Sequence, residues 1–169
     1  MFLQLREETK VRNSSTDNNL YRTQPGTKRN YWINIDYKVA SHLTFKTRAQ
    51  FSTYSIGGNS SGGMILLQDI TWNSGKFSIS GRYALFDTDD YDNRLYVYEK
   101  DVWMAFSFPA YYGVGVRNYL LFQYSISKNV DIWMRWAHVR FTDRTTIGSG
   151  SETIEGNIRN DVKFQVRIR

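Results

Sequence analysis

The sequence predicts an all-β fold: an antiparallel, up-and-down β-barrel of about eight membrane-spanning strands, formed by residues 1–169 as a single domain. Three observations carry that prediction. Apolar and polar side chains alternate with a period of two along most of the chain, and no stretch holds a helical period. The alternating stretches run about ten to fourteen residues, whereas strands of globular sheets average nearer six. Finally, 16% of the residues are aromatic, yet the mean hydropathy is −0.52, so large apolar side chains sit among charges rather than in runs.

In chain order, alternating segments fall at 2–13, 29–40, 42–55, 64–73, 76–87, 93–107, 113–127, 130–142 and 157–169. The first sets Leu3, Leu5 and Val11 against Arg6 and Lys10, with Glu7 out of place on the apolar side. Segment 29–40 sets Tyr31, Ile33, Ile35, Tyr37 and Val39 against Asn34 and Asp36, and 42–55 sets Phe45 and Phe51 against Lys46 and Arg48. In 64–73, Leu66, Ile70 and Trp72 share a face with a second exception, Gln68, opposite Asp69. Phe77 and Ile79 oppose Arg82; Leu120 and Phe122 oppose Tyr119 and Gln123, with Arg117 on the polar side; and Asp131 and Arg135 share the polar side of 130–142. The last segment, RNDVKFQVRIR, is the most regular, with Val162, Phe164, Val166 and Ile168 opposed to Asp161, Lys163 and Arg167.

In hydrocarbon every unpaired backbone group costs several kcal/mol, so a spanning sheet has to close on itself, apolar side outward. The expected lipid-facing set is therefore Ile33, Ile35, Phe45, Phe51, Phe77, Ile79, Leu120, Phe122, Val162, Phe164, Val166 and Ile168. The expected lumen charge network is Arg6, Lys10, Asp36, Lys46, Arg48, Asp69, Arg82, Arg117, Asp131, Arg135, Asp161, Lys163 and Arg167, paired so that no charge is buried alone. Tyr31, Trp72, Tyr83, Tyr111, Tyr112 and Trp136 suit interfacial girdles.

Short turns are expected near 40–41, 73–75 and 127–129, and long polar loops at 13–28, 56–63 and 143–156, the asymmetry of outer-membrane barrels. Counting strands from both termini, residues 88–112 must begin and end on the same, outer side. That stretch is predicted to be an extracellular hairpin or a loop folded into the barrel mouth.

Two stretches, YALFDTDDYDNRLYVYEKDVWMAFSFPAYYGVGVRNYLL (83–121) and IGSGSETIEGNIRNDVKFQVRIR (147–169), resemble the C-terminal portion of a Bacteroidetes family of large outer-membrane β-barrel proteins, often described as helix-hairpin-helix proteins. The resemblance implies that these strands close a larger barrel. The helical module that precedes the barrel in that family, with its suggested tie to DNA, has no counterpart here, and the common terminal aromatic is missing after Ile168-Arg169.

Chemistry-bearing motifs are sparse. There are no cysteines and two histidines, His42 in a predicted turn and His138 on the apolar side. No nucleophile elbow is present, and Ser125 and Ser127 belong at the opposite end of a hairpin from His138. Asp87, Asp89, Asp90 and Asp92 lack the glycine and terminal glutamate of a helical calcium loop; Asp87 and Asp89 are expected to pair with Arg94 or Arg82. The net charge of +6 is dispersed, which argues against nucleic acid as a partner. Expected partners are a lipid bilayer with lipopolysaccharide, or detergent, and upstream barrel strands or other outer-membrane proteins. No catalytic residue, metal or cofactor is expected. The predicted role is that of a non-enzymatic, porin-like outer-membrane barrel of a Gram-negative bacterium, structural, transporting or loop-presenting. The alternatives are a soluble barrel around a small apolar ligand and an outer-membrane lipid-modifying enzyme.

Overall fold

The computed structural model describes residues 1–15 and 21–169, and the described chain is built from strands without an α-helix. In order these are β1 (Phe2–Ser15), β2 (Tyr21–Ala40), β3 (Leu43–Ile56), β4 (Asn59–Ser74), β5 (Phe77–Thr88), β6 (Leu95–Tyr96), β7 (Ala110–Tyr111), β8 (Val114–Ser125), β9 (Val130–Phe141), β10 (Thr146–Ile147), β11 (Ile154–Glu155) and β12 (Ile158–Ile168). The eight long strands make one antiparallel meander in the order β1-β2-β3-β4-β5-β8-β9-β12.

The sheet is open. β1 and β12 are its two ends and do not pair with each other, so the closed eight-stranded barrel expected from sequence is not formed. Sterics give a reason. Residues 89–113 leave β5 and return to β8 over one face of the sheet, and an eight-stranded barrel has an interior wide enough only for the side chains of its own wall.

The strands also outrun the predicted segments. Of the expected loop at 13–28, residues 13–15 and 21–28 are strand, with β1 and β2 in register out to Ser15↔Tyr21, and residues 16–20 lie outside the described residues. The expected loop at 56–63 is a two-residue turn, Gly57-Gly58, with φ of 58° and 86°, the left-handed pair that a tight hairpin requires. Both corrections have one cause. The backbone ladder does not need apolar side chains, and here it continues through polar stretches past the apolar band. The loop predicted at 143–156 is present, carrying the β10–β11 pair and a 3-10 turn, Gly150–Glu152.

Register defines two faces. One, called here the open face, carries Tyr31, Phe51, Leu66, Leu85, Leu120, Met134 and Phe164, all 42–67% exposed. The covered face lies beneath 89–113, where Ile65, Leu67, Phe86, Val139 and Phe141 pack against Leu95, Val97, Tyr111 and Ile147. A second cluster joins Tyr119, Leu121, Trp133 and Ala137 to Val102. The core of the molecule is thus the seam between the sheet and its own excursion.

Candidate functional site

The excursion is fastened by three consecutive residues. Glu99, fully buried, is the centre: its Oε1 accepts hydrogen bonds from Tyr111 Oη (2.8 Å) and Arg117 Nε (2.7 Å), and its Oε2 from Arg117 Nη2 (3.0 Å) and Arg135 Nη2 (2.5 Å). Lys100 Nζ donates to Thr71 Oγ1 (2.8 Å) and Ser80 Oγ (3.0 Å). Asp101 Oδ2 accepts from Lys163 Nζ at 2.6 Å, and Asp101 Oδ1 caps its own chain at Val102 N. Arg135 Nε completes the lock on the Lys100 carbonyl at 3.0 Å. Glu99, Asp101 and Arg135 each meet opposite charge, and Lys100 meets two hydroxyls, the pairing that makes burial of ions tolerable.

Burial alone would raise the Glu99 carboxyl. The hydrogen bond and charge of Arg117, with Tyr111 and Arg135, overcome it and leave the group below the ordinary glutamate value. Burial and the neighbouring Glu99 charge push the Tyr111 phenol up.

Around the lock the wall supplies its own pairs. Arg82 grips Asp69 in a bidentate pair (2.6 and 2.8 Å), and Tyr119 lies between Arg82 and Arg135, its ring centroid 5.6 and 5.3 Å from their guanidinium carbons. Further along, Asp131 accepts from Ser125 Oγ (2.6 Å), Arg167 Nη2 (2.5 Å) and Arg169 Nη2 (3.1 Å), and Arg167 stacks over Trp103 of the excursion at 4.6 Å. The excursion therefore reaches from the C-terminal end of β5 to a level near the end of β12.

All thirteen charged residues singled out from sequence lie on the covered-face parity of their strands. Asp69 with Arg82, Asp131 with Arg167, and Asp36 with Lys46 (3.4 Å) pair among themselves, and Arg135 lies 4.0 Å from Asp161. Arg48 Nε donates instead to Asn34 Oδ1 (2.6 Å), and Arg6 and Lys10 turn to Glu8 in their own strand. Arg117 and Lys163 are neutralised by Glu99 and Asp101, which the sequence reading left out. Alternation could not reveal them, since they belong to no spanning strand; an acid-base-acid triplet inside a stretch that must return to its starting side was the available signal.

The twelve residues expected to face lipid all lie on the open face, with Phe164 67% and Ile168 78% exposed. The two exceptions there are satisfied locally: Glu7 pairs with its register partner Arg29 (2.7 Å), and Gln68 accepts from Thr47 Oγ1 (2.6 Å) while donating to the Lys46 and Asp69 carbonyls.

Other expectations are corrected. Asp89 accepts from Gly62 N (2.6 Å) and is not paired with Arg94, whose carboxylate neighbour is Asp92 at 3.8 Å, while Arg82 is taken by Asp69. His138 shares Asn160 Oδ1 with Trp136 on the open face, whereas Ser125 points to Asp131 on the covered one, so Ser125 and His138 are not paired. Among the described residues no cluster of three or more acidic or histidine side chains converges as a metal site. No protein-family model, curated protein or solved structure matches the chain.

Proposed function

We propose that the chain is a wall segment, with its own plug, of an outer-membrane β-barrel in a Gram-negative bacterium, serving a structural, transport or loop-presenting role rather than catalysis. One observation carries this reading: the apolar band on the open face drifts against the hydrogen-bond register. On β1 to β4 its upper edge is the row Leu5, Tyr31, Phe51, Met64. On β9 and β12 the upper edge is Trp136 and Val162, which register aligns with Tyr37, six residues along β2 from Tyr31.

The lower edge moves the same way, from the row containing Trp72 and Phe164 to the row containing Val130 and Ile168, four residues on. A sheet packed on a flat core has no reason to set its greasy band lower on β9 and β12 than on β1 to β4. Strands tilted through a slab of fixed height require that shift. On β2 the band runs from Tyr31 to Val39, about 26 Å along the strand and about 20 Å along the normal at a ~40° tilt, before side chains are added.

The opposite arrangement, a soluble barrel around an apolar ligand, would gather Phe164 and Ile168 inside, whereas both are mostly exposed. The excursion supports a wider ring than eight strands, because plugged lumens belong to large barrels. That agrees with the resemblance of 83–121 and 147–169 to the end of a large barrel family. The test is partition. Refolded chain should float with phosphatidylcholine vesicles, migrate faster unheated than heated in gels, and give a β-type circular dichroism spectrum. A monomer that stays soluble without detergent refutes the reading.

A further inference from the structure

The excursion covers two charged regions of the sheet, and only one of them is balanced. Around Glu99 the buried cations meet carboxylates or hydroxyls, whereas the crevice between β1–β3 and residues 92–96 holds more cations than its carboxylates can neutralise. We propose that this crevice binds a small soluble phosphate ester of a hydroxylated ring, a sugar phosphate in class. The site lies on the face away from the apolar band and is independent of the wall reading.

A period of two builds the floor. Register places Glu8, Lys28 and Tyr54 in one row, with Arg6 and Asn30 two residues to one side and Lys10 and Gly26 two to the other. Beyond Arg6, the row of Trp32 and Gln50 ends the floor. An added Cβ on Gly26 would fall 2.8 Å from Tyr54 Oη, so a glycine there leaves room for the buried Tyr54 ring to reach across β2. The roof is fixed by Lys28, whose Nζ donates to the carbonyls of Arg94 (2.7 Å) and Asp92 (3.4 Å), and by Arg94 Nε on Tyr96 Oη (2.8 Å). Floor and roof enclose about 330 Å³, near the low end of the range for small-molecule sites.

The charges do not cancel. β1 contributes Arg6, Lys10 and Arg12, β2 contributes Lys28 and the roof Arg94, against the carboxylates of Glu8 and Asp92, so five cations face two anions and three charges are left over. Glu8 is engaged by Arg6 (3.2 Å) and Lys10, and Asp92 stands 3.8 Å from Arg94. Among the described residues no carboxylate lies within 4.0 Å of Lys28 Nζ or the Arg12 guanidinium. Asp90 acts on Lys28 from farther off, and including it still leaves an excess of two. A concave surface of one sign concentrates counter-ions, and guanidinium forks match phosphate oxygens two at a time. A phosphate dianion cancels most of the excess, whereas a single carboxylate leaves the larger part.

The remaining wall describes the rest of the ligand. Gln50, buried, reaches Asn30 Oδ1 only at 3.5 Å, the limit of a hydrogen bond, so both amides retain capacity for hydroxyl groups. The half-buried Trp32 offers a flat apolar face beside them, suited to the C–H side of a saturated ring. Since the crevice opens on the face opposite the apolar band, the ester is a soluble one and not a bilayer head group.

Calorimetric titration of the refolded chain in a non-ionic detergent tests this, with glucose 6-phosphate as probe and glucose, glucuronate and inorganic phosphate as comparisons. The expected result is one saturable site per chain for glucose 6-phosphate, at least about tenfold weaker binding of glucuronate and inorganic phosphate, no binding of glucose, and loss of affinity as salt is raised. Lys28→Gln should weaken binding about tenfold, while Arg29→Gln, the next residue but on the open face, leaves it unchanged. Because Lys28 also holds the roof, Arg12→Gln repeats the test from β1, with weakening of about threefold expected for this more exposed charge. Glu8→Gln raises the excess charge and should tighten binding, a change of sign that a merely structural role would not give. Absence of a saturable site, equal affinity for glucose or glucuronate, equal losses at Lys28 and Arg29, weaker binding by Glu8→Gln, or displacement of the probe by phosphatidic acid doped into the micelles overturns the proposal. Vesicle flotation without sugar phosphate binding overturns this site alone, and binding by chain that never enters vesicles overturns the wall reading alone.

Discussion

Arg6 on β1 and Arg135 on β9 occupy the same face of the same sheet, each opposite a glutamate, and have little else in common. Arg6 is 62% exposed and meets Glu8 at 3.2 Å; Arg135 is 2% exposed and meets Glu99 at 2.5 Å. The strands around each alternate equally well. What differs is the cover, because 89–113 packs on β4, β5, β8 and β9 and touches β2, β3 and β12, whereas Arg6, Glu8 and Lys10 of β1 meet it only across an open pocket that Asp92, Arg94 and Tyr96 line. Alternation selects the face a side chain takes, and the plug selects which part of that face becomes an interior. Ion pairs of the two regions should differ accordingly, since exposed pairs contribute about 0–1 kcal/mol, whereas removing one partner of a buried pair costs about 3–5 kcal/mol.

The largest effect should therefore come from Glu99→Gln, which removes the paired carboxylate of Arg117 and leaves Arg135 only its longer contacts to Asp101 (3.8 Å) and Asp161 (4.0 Å). We expect a loss of about 3–5 kcal/mol in denaturant unfolding and rapid proteolytic cutting within 89–113, against under about 1 kcal/mol for Glu8→Gln. Equal losses at the two positions would break the contrast. Acid should act on the same lock. Because the folded carboxyl lies below its unfolded value, the stabilisation it gives is complete above the ordinary glutamate range and fades only as pH falls through the lowered folded value. Protease sensitivity of the plug should rise in strong acid, and a rise near neutrality would exclude Glu99 as its cause.

How much of this was legible follows from the same division. Phe164 and Lys163 differ by one residue, and a period of two is enough to send them to opposite faces, so the eight long strands and both face sets could be read from the chain. Glu99 and Asp101 could not, because their burial depends on where a non-spanning segment folds back, which no local period encodes. Closure failed for a related reason: strand number can be counted, but the room a plug needs cannot. The ladders through 13–15 and 59–63 were missed because hydrogen bonds between polar residues leave no hydropathy signal.

The two faces themselves can be set against each other. Phe122→Arg places a guanidinium in the open-face band, where a cation near mid-bilayer costs about 2–4 kcal/mol, whereas Gln123→Arg places the same group on the polar side of the same strand. Folding into vesicles should fall markedly for the first and little for the second, and the reverse order would invert the molecule.

A smaller effect is expected where the plug rejoins the wall. Gly113 has φ of +72°, donates its N–H to Thr88 Oγ1 at 2.8 Å, and sits so that an added Cβ would fall 1.8 Å from Arg144 Nη2 and 2.4 Å from Asp143 Oδ2. Gly113→Ala should cost about 1–2 kcal/mol, since the left-handed backbone is strained for alanine and the Asp143–Arg144 pair must shift. Gly58, also left-handed but with open space around it, separates the two causes. Gly58→Ala carries the backbone strain without the clash, and should therefore be the milder of the two in thermal unfolding.

The smallest change probes the bare region. Glu7 shares the open face with Leu3, Leu5 and Val11, and its partner Arg29 is its own register neighbour, both side chains being 52% exposed. If this row lay at the depth of Phe122, an ion pair facing hydrocarbon would be a heavy liability, and replacing both members with leucine would be strongly stabilising. Its position argues otherwise. The row of Glu7 and Arg29 stands one step above Leu5 and Tyr31, the upper edge of the apolar band, which on the proposed wall reading is where a tilted strand would leave the bilayer and polar head groups would accept either sign. The double substitution Glu7→Leu with Arg29→Leu should then move stability in detergent by less than about 1 kcal/mol in either direction, the range of an exposed pair. A gain several times larger would raise the lipid boundary on β1 above that row and require a greater tilt at this end of the sheet than at β12.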